Sequence, residues 1–273
     1  MQIQFTINDQ TWQADLSKPY PLFITQTFDN AQPNHFGVEF ATKMPVPVGN
    51  AVGDTRQGFS CNFSQIRMIP HCNGTHTECV GHIVDIRINL EQCNVPPFMM
   101  AAVLTFQPEL CKNFDESYRP PLAADDLVIT RKQCREKLAT VAANVEALIV
   151  RTMPNDPDKK RRRYGDDCPT PFFTCEAIEW LNEQSIQHLL VDFPSIDRMD
   201  DDGLLTNHHL FWNVAENSHQ LSDAVQMNKT ITEMIYVDSS IEDGVYLLGN
   251  QFPAMATNAV PSRPVIYSIT RQE

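Results

Sequence analysis

The twelve residues His71-Cys72-Asn73-Gly74-Thr75-His76-Thr77-Glu78-Cys79-Val80-Gly81-His82 hold three of the chain's eight histidines, a glutamate and two cysteines, and a further pair, His208-His209, stands downstream. Imidazole nitrogens with a carboxylate are the usual protein ligands of a catalytic zinc or manganese ion, which keeps one position open for water. If the stretch is extended, His76 and Glu78 project from the same face, and Gly74 would let the backbone bend closely around an ion. The chemistry implied is hydrolysis by metal-activated water. Two other classes use the same residues: a non-catalytic metal-binding protein with every metal position filled by protein, and a thiol-dependent hydrolase in which Cys72 or Cys79 is activated by a nearby histidine. His35, His188 and His219 read as ordinary core or surface histidines.

These residues need elements to position them. Ile3–Ile7 and Thr11–Asp15 alternate apolar and polar residues around Asn8-Asp9-Gln10, a hairpin signal. From Lys18 to Gly58 the chain is rich in Pro, Asn and Gly without periodicity and reads as a loop that covers something. Ile83–Leu90 alternates cleanly and predicts a strand directly after the histidine motif. Strands are further expected at Ala101–Phe106, Val145–Thr152, Gln187–Phe193, Thr230–Val237, Val245–Phe252 and Pro264–Ile269. Helices are expected over Thr130–Ala143, with Thr130 as N-cap and Leu138, Val141 and Ala142 on one face, and from Thr174 through Leu181. Strand, helix, strand predicts an α/β layer whose strand ends can carry a site. One domain spanning residues 1–273 is expected, with residues 1–58 as an N-terminal β/loop arm.

The whole chain limits the function classes. Its 273 residues are 42% hydrophobic and 20% charged, enough for a sizeable core, and its net charge of −13 argues against a nucleic-acid partner. The one basic run, Lys159–Arg163, is flanked by Asp156, Asp158, Asp166 and Asp167 and reads as a solvated loop. No apolar stretch has membrane-spanning length, and the N-terminus lacks a basic region followed by an apolar one, so a cytoplasmic protein without membrane contact is expected. The eight cysteines form no CxxC pairs and read as reduced, mostly buried small hydrophobes.

The pattern Gly74-Thr75-His76-x-Glu78-x-x-x-His82 resembles the His-x-Gly-Thr-His-x-Asp-x-Pro-x-His signature of the cyclase-like hydrolases, a family that includes bacterial kynurenine formamidase and isatin hydrolase. Phe173–Asp197 looks like the family's helix-strand segment ending in a Ser-x-Asp turn. Asn207–Trp212 resembles the stretch with its later ligand histidine, and Thr230–Ile235 the strand with its ligand Glu. Here Cys72 stands at the family's first histidine with His71 one residue earlier, Glu78 replaces Asp, Val80 replaces Pro, and Asn213–Lys229 reads as an insertion. The resemblance implies an α/β domain of the family's swivelling β/β/α type, with a mixed β-sheet or partly closed barrel and flanking helices. It implies one or two divalent ions, zinc or manganese, held by His71 or Cys72, His76, Glu78, His82, His208 (or His209) and Glu233. His82, or Glu233, would be the catalytic proton carrier, and Asp192, Ser195 and Asp197 would orient ligand histidines. The expected substrate is a small amide or lactam, foremost N-formylkynurenine, an arylformamidase reaction of tryptophan catabolism that yields kynurenine and formate. A homodimer or higher homo-oligomer is expected.

Overall fold

The computed structural model describes every residue except 8, 30, 142, 143, 166, 167 and 273. An eleven-stranded mixed sheet forms its frame. Four strands at its centre, Met99–Phe106, Ala147–Thr152, His188–Val191 and Thr230–Glu233, run parallel in that order. The first three are largely apolar along their length, as strands covered on both faces need to be, while Thr230–Glu233 is buried with polar side chains. Ala102, Leu104, Leu148, Val150, Leu189, Val191 and Ile231 enter one core, while Met99, Ala101, Val103, Ala147, Ile149 and Leu190 enter another.

Helices Arg131–Leu138, Cys175–Glu183 and Thr206–Trp212 fill the three successive crossovers between these strands. Thr130 caps the first through a reciprocal bond with Gln133, and Thr174 caps the second by accepting from the Ala177 N–H. Ala177, Ile178 and Leu181 then fall on the buried face of the second helix. The first helix stops at Leu138, and the expected continuation to Ala142 and Ala143 lies outside the described residues.

On one flank, Gly244–Gln251, Arg263–Arg271 and the expected hairpin of Gln2–Ile7 with Gln10–Asp15 extend the sheet antiparallel. On the other flank His76–Glu78 lies antiparallel between Thr230–Glu233 and Ala259–Pro261. The sheet stays open, so of the two forms expected the fold is the mixed α/β sheet with flanking helices, without a closed barrel.

The expected strand over Ile83–Leu90 is absent. The chain folds back there, with the Asp85 N–H on the His219 carbonyl and the Leu90 N–H on Thr257, and Ile83, Ile88 and Leu90 buried without strand spacing. The fold-back presses the Ile88 carbonyl onto Gly81, where a Cβ would stand 2.0 Å from its oxygen. Gly74 is extended, at φ 161°, and does not bend the chain; a Cβ there would meet the Gln26 side chain at 2.7 Å. Nor is the basic run fully solvated. It forms a short 3₁₀ turn, Pro157–Arg161, that buries Lys159 with its Nζ 2.8 Å from Asp192.

Residues 18–58 cover the histidine motif. The Ile24 N–H donates to Thr75 Oγ1 at 2.9 Å, the Asn73 amide to the Glu39 carbonyl at 3.1 Å, and the His35 N–H to the Cys72 carbonyl at 2.9 Å.

Candidate metal centre

Glu233 ends its parallel strand and faces His76 across the antiparallel register. Open α/β sheets bind ligands at this place, the carboxyl ends of parallel strands. His76 and Glu78, two apart on a strand, point the same way as expected. One turn of helix, Pro70–Asn73, carries His71 and Cys72 about 100° apart, so only one of them can face Glu78. His71 does: its Nδ1 lies 3.0 Å from Glu78 Oε2. His208 comes from the helix Thr206–Trp212 and His82 from the turn after Glu78. The structure thus gathers His71, His76, Glu78, His82, His208 and Glu233, and ligand atoms of two triads, His71-His76-Glu78 and Glu78-His82-His208, lie within 4.8 Å of one another. Cys72 belongs to neither triad. His209 turns towards His219, at 6.2 Å between rings.

Hydrogen bonds fix which imidazole nitrogens carry lone pairs. The Gly74 carbonyl can only accept, so the His76 Nδ1–H donates to it at 3.0 Å and Nε2 is left bare. That Nε2 has no hydrogen-bond partner and stands 3.4 Å from Glu233 Oε2, another acceptor. The Asn258 amide group donates to the Gly81 carbonyl, so its Oδ1 takes the His71 Nε2–H at 3.1 Å and leaves Nδ1 towards Glu78. Glu78 Oε2 also has no hydrogen-bond partner; its approach to His71 is close but not aligned. On His208 the Nδ1–H donates to Asp197 Oδ2 at 2.5 Å, and Nε2 meets Glu78 Oε1 at 2.9 Å.

Each of these three histidines is therefore oriented by a fixed acceptor and aims its other nitrogen at a carboxylate. Facing acceptors in a buried site repel unless a proton or a cation lies between them. Without a metal, protons take that place. Burial opposes charge on His208, but Glu78 and Asp197 hold its pKa well above the usual imidazole range. For His71 burial is likewise outweighed by Glu78, and its pKa is raised. Burial would raise Glu78, yet His82 and His208 hold it well below the carboxylate range, while burial and then the Glu78 charge raise Glu233. Histidine and carboxylate donors of this kind fit a divalent cation.

The supporting residues are partly those expected. Asp197 accepts from His208, from the Asn207 N–H at 2.6 Å and from the Tyr118 hydroxyl at 2.7 Å, and Ser195 accepts from the Asp197 N–H. Asp192 does not orient a ligand histidine. It takes the Thr152 N–H and hydroxyl and the Lys159 ammonium, because that buried cation needs a carboxylate. Asn258 and Tyr118 carry no sequence signal, since a lone Asn in a loop and a lone Tyr are common anywhere. The thiols are poor nucleophiles: burial pushes Cys72 up to about 11, and contact with Cys93 together with burial pushes Cys79 up as well.

The chain is thus an α/β protein whose mixed sheet carries a buried histidine–carboxylate cluster at one end of its parallel strands. It belongs to the cyclase family, whose model, described as "Putative cyclase", matches residues 10–198. No curated protein matches the chain. A predicted metal-dependent hydrolase from Bacillus stearothermophilus is similar in structure at a TM-score of 0.56 and 16% identity, over 92% of this chain and 98% of that one. Isatin hydrolase A from Labrenzia aggregata, bound to benzyl benzoate, gives 0.61 at 14% identity over 92% and 93%. An isatin hydrolase bound to the product analogue thioisatinate gives 0.60 at 13% identity over 93% and 94%.

Proposed function

We propose that this protein is a metal-dependent hydrolase that opens a carbon–nitrogen amide bond in a small molecule, either a formylated arylamine such as N-formylkynurenine or a lactam such as isatin. The observation that carries the reading is the bare Nε2 of buried His76 facing the Glu233 carboxylate at 3.4 Å. One or two divalent ions, zinc or manganese, would be held by His71, His76, Glu78, His82, His208 and Glu233, with Glu78 shared between the two triads. Such an ion lowers the pKa of bound water towards about 7 and polarises a carbonyl.

The chain's own residues supply the rest. Asp197, Asn258 and the Gly74 carbonyl fix the tautomers of three histidines. His82 stacks on His71 at 4.3 Å and keeps 28% of its side chain accessible, so it can meet a substrate. Burial pushes its pKa down to about 4, so a His82 ring that is not bound to an ion is an unprotonated acceptor at neutral pH. A proton taken up there is strongly acidic and passes readily to the leaving nitrogen. Glu233, buried against Glu78, is the second candidate for that proton.

Two observations on the alternatives favour this reading. Neutral thiols at Cys72 and Cys79 disfavour cysteine catalysis, and the accessible edge formed by His71 and His82 suits an open position better than a closed structural site. Exhaustive EDTA treatment should abolish cleavage of N-formylkynurenine and isatin, and added zinc or manganese should restore it. Activity that survives chelation, or protein that cleaves neither compound when metal-loaded, overturns the assignment.

A further inference from the structure

Of the three acceptors that orient the ligand histidines, the Gly74 carbonyl is backbone, and the Asn258 side chain is tied to the Gly81 carbonyl. Asp197 is a charged side chain with torsional freedom of its own, so its position must be set before it can set that of His208. It holds more than the ring. Leu205, at the N-terminal boundary of the helix Thr206–Trp212, stands at φ 46° and makes no side-chain cap. Asp197 takes over that part: it accepts the Asn207 and His208 N–H groups at 2.6 and 3.2 Å, while its Oδ2 also takes the His208 Nδ1–H. Helix and imidazole therefore follow one carboxylate.

Tyr118 fixes that carboxylate. Its hydroxyl accepts the Arg198 N–H at 3.1 Å, which leaves its single hydrogen for Asp197 Oδ1 at 2.7 Å. The residue is 3% exposed, and its ring packs edge-on against Phe172 with 4.8 Å between centroids. Its neighbours anchor the segment on both sides. Ser117 donates through its N–H and its hydroxyl to Glu176, and the Arg119 carbonyl accepts the Thr206 hydroxyl at 2.7 Å. Packing alone would be served equally well by a phenyl ring; the hydroxyl, with its one hydrogen committed to the carboxylate behind a ligand histidine, adds direction.

We propose that Tyr118 is a positioning residue of the metal centre, acting through Asp197 to hold His208 Nε2 where it faces Glu78. The inference rests on the metal reading of the centre and on no particular substrate, and the test separates the two. Wild type, Tyr118→Phe and Thr206→Val are compared for the dissociation constant of cobalt(II), for the visible absorption of the bound cobalt, and for the urea midpoint in EDTA. Tyr118→Phe keeps the ring and loses the hydroxyl. Thr206→Val loses another buried hydroxyl bonded to the same segment, two residues from His208, without touching Asp197.

Tyr118→Phe should weaken cobalt binding about tenfold or more, the usual effect of removing the partner behind a metal ligand, and should alter the visible bands. Thr206→Val should lower the urea midpoint as well, yet leave the cobalt affinity within twofold of wild type and the bands unchanged. A wild type that holds cobalt but cleaves no amide removes the hydrolase reading, and the cobalt comparisons still decide on Tyr118. A wild type that takes up no cobalt overturns both. Equal affinity and bands in Tyr118→Phe, the same weakening in Thr206→Val, or a Tyr118→Phe chain that does not fold would assign the hydroxyl to the fold alone and overturn the proposal.

Discussion

At the level of single residues, the decisive feature is which nitrogen of each histidine is free. Three unrelated acceptors, a glycine carbonyl, an asparagine oxygen and an aspartate, each take one N–H and leave the other nitrogen facing Glu78 or Glu233. The adjacent His71 and Cys72 offer a direct test. His71→Ala should lower bound metal and hydrolytic rate together by tenfold or more, whereas Cys72→Ser should leave metal content within twofold, both read by elemental analysis and initial rates. The opposite result would move the site to the thiol. Replacing either member of the Lys159–Asp192 pair would strand a buried charge, a change that bears on folding and not on the centre.

At the level of elements, most strands and the two longer helices follow from apolar runs, N-caps and helical spacing, as in Met99–Phe106 and Cys175–Glu183. The cluster of motif histidines, with His208 and Glu233, was legible for the same reason: residue type and order suffice where a resemblance supplies the pairing. Ile83–Leu90 was misread because alternation reports a half-buried surface and says nothing of whether a sheet edge is free to receive it. Both edges of His76–Glu78 are taken by strands more than 150 residues away in sequence. Gly81→Ala should therefore destabilise the protein by about 2 kcal/mol, the usual cost of overpacking, seen as a lower urea midpoint; an unchanged midpoint would mean the fold-back gives way freely.

The strand His188–Val191 gives a pH prediction. Burial, then the Lys229 charge, lowers the pKa of His188 from 6.5 to about 4 in the folded protein. Its contribution to stability, about 3 kcal/mol, is fully present above pH 6.5 and lost as pH falls towards 4, because the unfolded chain takes the proton first. His188→Asn, which keeps a partner for Thr230, should flatten the pH dependence of the urea midpoint between pH 6.5 and 4. An unaltered slope would assign the titration to another group.

At the level of the whole molecule, the centre is shared by distant parts: His76 and Glu78 near residue 77, His208 from a later helix, Glu233 from a central strand, and Asn258 from the loop beyond. Among the described residues no helix is long and apolar enough to cross a membrane. A metal that binds only this assembled arrangement must stabilise it, by about 4 kcal/mol at a thousandfold excess over its dissociation constant. Thermal unfolding in EDTA against zinc or manganese should show a rise in Tm on metal addition, and equal midpoints would rule out a resident ion. The arm and the last strands then acquire a meaning in time. His76–Glu78 can be clamped only after Ala259–Pro261 has emerged and found it, across a loop of some 180 residues whose closure is slow. During synthesis the strand that carries His76 and Glu78 therefore stays unclamped on that edge until Ala259–Pro261 has emerged and paired with it, and the ability to capture an ion should follow that pairing.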